Sequence, residues 1–305
     1  MAQTSRYLTG DKAGIQEFLD KFDVFLLDCD GVLWSGDRLL PGVRETIAFL
    51  HSKGKRTIFV TNNSTKSRQE YHKKFTRLAI PCTPDDIFGS SYSAAIYISR
   101  ILALQTSDKP KVFVLGEAGV EDELRAEGVS FVGGTDPALR RDITPEDFDN
   151  LADGSALDPD VGAVLCGLDF HVNYLKLATA AQYLRRGALF LATNTDSSLP
   201  MAGGFFPGAG SVGSPLANML GRQPLALGKP SQAMMDAVEG KFRLDRARTC
   251  MIGDRLDTDI RFGIEGGLGG TLAVLTGVNS REDWEKPGAA AVPAYYVDGL
   301  GDLRF

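Results

Sequence analysis

Eight short apolar runs punctuate this chain, at residues 24–27, 57–60, 112–115, 161–165, 188–192, 225–227, 250–252 and 272–275, and Asp, Gly or Thr follows each within two residues. Runs this short, bounded by turn residues, predict buried strands. Between them lie amphipathic stretches. In 43–51 the apolar residues Val43, Ile47, Phe49 and Leu50 are spaced for one helical face, and 174–184 follows the same pattern. Alternating strand and helix signals predict an α/β fold, a largely parallel sheet covered by helices on both faces. Such sheets place their chemistry beyond the carboxyl ends of the strands. The residues that close each run are therefore the ones to inspect.

With 305 residues the chain is long enough for two domains, or for one large domain carrying an insertion. The segment 103–223 has strand signals of its own and an acidic stretch at 135–160, so it is expected to be a second domain inserted into the first. The Gly- and Pro-rich stretch 201–215 would suit its return linker. A net charge of −6 lacks the electrostatic footprint of a nucleic-acid binder. No run of about 18 apolar residues offers a membrane span. Residues 1–21 intersperse Arg6, Asp11, Lys12, Glu17 and Asp20 among apolar positions, so a mature start without a secretory signal is expected. Cys29, Cys82, Cys166 and Cys250 are far apart with no CxxC pair, which argues against structural zinc or a disulfide framework. Free thiols in a reducing cytoplasm are the expectation.

Four strand tips carry groups with chemistry. The first is Asp28-Cys29-Asp30-Gly31-Val32, two carboxylates crowded before a glycine. Thr61-Asn62-Asn63-Ser64 offers a hydroxyl and amides that can hold a phosphate, and Lys229, between Gly228 and Pro230-Ser231, offers a cation to neutralise one. The fourth, Gly253-Asp254-Arg255-Leu256-Asp257-Thr258-Asp259, puts three carboxylates in six residues, a set of hard oxygens suited to Mg²⁺ or Ca²⁺ rather than zinc. The Asp spacing does not fit an EF-hand loop. Singly, each tip has an ordinary use: an Asp-Gly turn, a helix N-cap, a surface lysine, a solvated acidic loop. Their joint occurrence, in this order, at one edge of one sheet is what points to a site.

With these four motifs the chain resembles the haloacid dehalogenase-like hydrolases. The long gap between the second and third motifs looks like the large α/β cap of the C2 type. Thr193-Asn194-Thr195-Asp196 and Gly208-Ala209-Gly210-Ser211 resemble the phosphoglycolate phosphatase, or 4-nitrophenylphosphatase, branch. The resemblance implies a Rossmann-like parallel-sheet core, residues 1–104 and 224–305, with the cap at 105–223. It also implies a phosphomonoesterase of small phosphorylated metabolites, with 2-phosphoglycolate favoured and p-nitrophenyl phosphate as a generic substrate. Pyridoxal phosphate or glycerol 3-phosphate hydrolysis and a phosphoacceptor signalling module stand as alternatives, and relatives lead one to expect a homodimer through the cap.

In that chemistry Asp28 forms an aspartyl-phosphate, which splits one displacement into two. Asp30 protonates the leaving oxygen and then activates water. Mg²⁺ is expected on Asp28, Asp254 and the backbone carbonyl of Asp30. Thr61, Asn62, Asn63 and Lys229 are the expected substrate-binding residues, and Asp257 and Asp259 support the metal site from behind. With His51, His72 and His171 the only histidines, a histidine-driven hydrolase does not fit.

Three further features are weighed. Gly208, Gly210 and Gly213 match GxGxxG, but no good strand precedes them and no acid follows at the right distance, so a dinucleotide site is not expected. His171 either faces the substrate from the cap or is an ordinary surface histidine. Cys29 is either a space-filler or a thiol whose oxidation blocks the nucleophile beside it.

Overall fold

The computed structural model describes residues 5–201 and 204–304. Seven parallel strands form the larger sheet, in the order Arg6–Tyr7, Tyr295–Val297, Gly270–Val274, Thr249–Gly253, Val24–Leu27, Arg56–Thr61, Ile87–Gly89. Alternate side chains of the central strands face opposite layers, as a pleated strand requires. Phe25, Leu27, Cys250 and Ile252 share a core cluster with Phe18 and Leu19 of helix Lys12–Lys21 and with Val43, Ile47 and Leu50 of helix Val43–Ser52. Leu26 and Met251 face the other way, onto Met234, Met235 and Val238 of helix Gln232–Phe242.

Val24–Leu27 is the pivot of this sheet. The chain builds outward from it on one side through Arg56–Thr61 and Ile87–Gly89, leaves, and returns on the other side through Thr249–Gly253. Strand order reverses there, which is where open α/β sheets hold ligands. Leu27 stands opposite both Phe59 and Ile252, so the tips bearing Asp28, Thr61 and Asp254 emerge side by side.

The excursion builds a second, five-stranded parallel sheet, in the order Leu225–Ala226, Leu189–Ala192, Val161–Cys166, Lys111–Leu115, Phe131–Gly133. Leu225–Ala226, which the sequence reading put in the core segment 224–305, pairs with Leu191 and Ala192. The chain therefore goes back to the first sheet only after residue 226. The 201–215 stretch is not the return linker. Ser198–Met201 and Gly204–Pro207 form an antiparallel hairpin, with Ala202 and Gly203 outside the described residues, and helix Ala209–Leu220 follows directly. Gly208 and Gly210 lie where the backbone passes so close to Asp196 and Thr195 that an added Cβ would sit 2.3 and 2.4 Å from their carbonyl oxygens. Their glycine character serves packing, not a dinucleotide. The acidic stretch 135–160 is partly ordered as helix Pro145–Asp153, whose capping box joins Thr144 and Asp147. Among the described residues, no helix is long and apolar enough to cross a membrane.

Candidate active site

Lys229 brings the first, third and fourth motifs together. Its ammonium donates to Asp28 Oδ1 at 2.6 Å, to Asp259 Oδ1 at 2.7 Å and to the Val60 carbonyl at 2.8 Å, which uses all three of its donors. The lysine side chain is 1% exposed. Burial lowers its proton affinity, but Asp259 and Asp28 outweigh that and raise it, so the ammonium stays charged.

Asp254 lies beside this pair. Its Oδ2 accepts from the Val278 backbone N–H at 2.7 Å. Gly31 and Gly277 approach it so closely that a Cβ on either would fall 2.4 or 1.9 Å from Oδ2. Gly31 also has φ +85°, so two separate constraints require glycine there. Carboxylate oxygens of Asp28, Asp254 and Asp259 lie within 4.8 Å of one another, all buried, against one ammonium. Burial, with Asp259 and Asp254 adding to it and Lys229 opposing, pushes Asp28 well above the usual carboxylate range; burial and Asp259 push Asp254 up to about 7. Crowding of this kind is what a divalent cation relieves, and the donors are all hard oxygens.

The three acids are not equivalent. Asp259 Oδ1 takes Lys229 and Thr258, and its Oδ2 takes the backbone N–H groups of Asp254 and Arg255. Its lone pairs are committed to the protein, and it ties the fourth motif to Lys229. Asp28 and Asp254 keep an oxygen that no described residue bonds, and they fit a metal. The Asp30 carboxylate stands outside the cluster, with Oδ1 accepting from the Trp34 indole at 2.8 Å. It lies on the cavity wall, and its Oδ2 accepts from no described residue. Asp257 departs from expectation. Its side chain is 53% exposed and pairs with Arg255 at 3.3 Å, not with the acidic cluster.

The Thr61 hydroxyl accepts from the Asn63 N–H at 3.2 Å, and Asn63 Oδ1 closes a turn onto Thr65. Both residues line a cavity of about 390 Å³ that also reaches Asp28, Asp30, Lys229 and Asp254. Asn62, expected to bind substrate, lines the same cavity, but its side-chain amide is engaged with the protein: it donates to the Lys229 carbonyl and to Asp196, and accepts from the Lys229 N–H.

The cap supplies Leu168, Phe170, Leu199, Pro200 and Met201 to the opposite wall. His171 does not line the cavity; it lies 3.1 Å from Glu117 and is 47% exposed, and its neighbour Phe170 takes the place at the wall. Cys29 is fully buried, and burial together with Asp28 and Asp30 pushes its thiol up, so the oxidisable thiolate is withheld and the space-filling reading stands. Trp34 and Arg255, whose guanidinium donates to the Ser198 carbonyl, are site residues that sequence reasoning missed. Trp34 is fully buried behind Asp30, and Arg255, which lies within the fourth motif, lines the cavity.

A haloacid dehalogenase-like hydrolase family profile matches residues 25–130, and a HAD-hydrolase-like profile matches residues 226–303. The chain is 51% identical over 289 residues to the 4-nitrophenylphosphatase of Schizosaccharomyces pombe, covering 94% of this chain and 95% of that one. It is 42% identical over 290 residues to phosphoglycolate phosphatase 1A of Arabidopsis thaliana, covering 94% and 78%. Among solved structures it is similar to a glycerol phosphate phosphatase from Mycobacterium tuberculosis in complex with magnesium, with a TM-score of 0.76, 30% identity, and 93% and 77% of the two chains covered.

Proposed function

The chain belongs to the haloacid dehalogenase-like hydrolases, and on that premise we propose that it is a Mg²⁺-dependent phosphatase of small phosphomonoesters, with 2-phosphoglycolate as its favoured substrate. The observation that carries this reading is Asp28, oriented by Lys229 beside Asp254 at the floor of the cavity, with Asp30 held apart by Trp34.

Asp28 attacks phosphorus, the bond from phosphorus to the ester oxygen breaks, and Asp30 gives its proton to the departing alkoxide. Asp30 then takes a proton from the water that attacks the aspartyl-phosphate, which releases phosphate and restores Asp28. Lys229, its donors held on Asp28, Asp259 and Val60, supplies positive charge beneath the phosphoryl group, and the Thr61–Asn63 turn would bind its oxygens, where charge stabilisation counts most. Asp28 and Asp254 would hold the cation, which neutralises phosphate charge when bound. Similarity to phosphoglycolate phosphatase supports the substrate choice, and the size of the cavity suits a small metabolite.

The test is phosphate release, with and without Mg²⁺, from 2-phosphoglycolate, glycerol 3-phosphate, pyridoxal 5′-phosphate and p-nitrophenyl phosphate. Turnover is expected to need Mg²⁺ and to fall on the order of 10³-fold or more in Asp28→Asn. A folded wild-type chain that releases phosphate from none of the four would end the proposal.

A further inference from the structure

Among the described residues, the buried ammoniums are matched by carboxylates, with one exception. Lys229 has Asp28 and Asp259, and Lys176 in the cap has Asp169 at 2.7 Å. Lys74, only 9% exposed, has the Gly36 carbonyl at 2.7 Å and the face of the Trp34 ring at 4.1 Å, but no described carboxylate within ion-pair distance. Leaving a buried charge unpaired is costly, so the position calls for an anion.

Lys74 lines the cavity, and so does Lys66, whose side chain makes no hydrogen bond or ion pair among the described residues. The two ammoniums repel each other, and Lys66 adds to the burial that lowers the proton affinity of Lys74. Two acids favour the Lys74 charge from beyond ion-pair distance: Asp30, which accepts from Trp34, and Asp37, itself 78% exposed at its side chain and paired with Arg77 at 2.7 Å. Lys66 is also positioned. Gly119 of the cap helix Ala118–Ala126 donates its N–H to the Thr65 carbonyl and packs so tightly that an added Cβ would sit 2.4 Å from the Lys66 backbone nitrogen.

The cavity is therefore polarised. Its floor holds Asp28 and Asp254, with Asp259 behind them, and its Asp30 side holds two ammoniums that no described carboxylate pairs. Asp30 is where the leaving group departs. We propose that Lys66 and Lys74 form a second anion subsite that selects phosphomonoesters whose leaving group carries a carboxylate. This inference rests on the phosphatase reading above and adds to it the residues that choose the substrate.

Lys66→Met, Lys74→Met and Lys66→Arg are to be compared with wild type on 2-phosphoglycolate, glycerol 3-phosphate and p-nitrophenyl phosphate. For both methionine variants the kcat/KM on 2-phosphoglycolate is expected to fall about tenfold or more relative to the other two substrates, chiefly through KM. Lys66→Arg should recover most of that ratio, and inhibition by the product glycolate should weaken in Lys66→Met. Lys66 has no partner to lose, so its variants decide the matter if Lys74→Met does not fold. Equal losses on all three substrates, or an unchanged ratio, overturn the subsite and leave the phosphatase reading intact. A wild type active on p-nitrophenyl phosphate but not on 2-phosphoglycolate overturns the subsite and the substrate choice but leaves the phosphatase reaction standing, and one inactive on these three and on pyridoxal 5′-phosphate overturns both.

Discussion

Asn62 and Lys229 lie 167 positions apart in the chain, yet the Asn62 side chain bonds both the N–H and the carbonyl of Lys229, while its own carbonyl accepts from Ser90 and Asn194. It joins the second motif, the third motif and the cap loop that follows strand Leu189–Ala192. Asn62 is thus a positioning residue that keeps the Lys229 ammonium aimed at Asp28. Asn62→Ala would leave the buried backbone of Lys229 without partners, at a cost of roughly 2 kcal/mol and a melting temperature lower by about 5 °C. Because Lys229 would then lose its aim, kcat should fall about tenfold while KM for p-nitrophenyl phosphate changes much less. A KM effect without loss of kcat would instead return Asn62 to the substrate-binding role that its place beside Thr61 suggested. Nothing in a single Thr-Asn-Asn tells which amide faces ligand and which faces protein, because that depends on what the distant chain brings against it.

At the scale of elements, the contact that positions the cap is between helix Ala118–Ala126 and the start of helix Arg68–Arg77. Glu123, 2% exposed, accepts from the Arg68 backbone N–H at 2.6 Å and pairs with its guanidinium at 2.9 Å. A cap carboxylate thus satisfies a first-turn donor of a core helix, where the helix dipole also favours it. The Arg68 guanidinium lies over the Tyr92 ring at 3.5 Å. Removing one partner of such a pair strands the other, so Glu123→Ala should destabilise the protein by about 3 kcal/mol, measured by urea unfolding. Gly119→Ala should fold, with unchanged far-ultraviolet circular dichroism, yet lose kcat/KM about tenfold on every substrate, because its Cβ displaces the loop carrying Lys66. Full activity in that variant would show that the cap tolerates movement at this seam. The helices themselves were legible: the predicted 43–51 and 174–184 appear as Val43–Ser52 and Tyr174–Arg185. The hairpin pairing Trp34–Ser35 with Arg38–Leu39 was not, since two-residue strands are too short to show a period.

For the whole molecule, the three crowded carboxylates link stability to pH and to metal. Asp254 holds its proton up to about pH 7 in the fold, against 3.8 for a free aspartate. Its folded value is raised, so its contribution to stability is complete below pH 3.8 and is lost as pH rises through about 7. With chelator present, the melting temperature should therefore fall between pH 5 and pH 8, and this component of the fall should vanish in Asp254→Asn. Mg²⁺ competes with that proton, so adding it should raise the melting temperature more at pH 8 than at pH 5; equal shifts at both would mean the ion binds elsewhere. All eight apolar runs became strands in one or other sheet, because a buried parallel strand must be apolar along its length and its period is readable locally. The same locality made Asp28, Thr61, Lys229 and Asp254 legible, since each directly follows or lies next to the end of a run that had to be a strand. Tertiary structure alone decided that Asn62 serves Lys229 and that no described carboxylate comes within ion-pair distance of Lys66 or Lys74, whereas the Asp257–Arg255 and Asp30–Trp34 contacts join residues only two and four apart. Strand identity is set by neighbours a few residues away, whereas a side chain's partner is set by which distant segments the sheet order and the cap bring within about 3 Å of it.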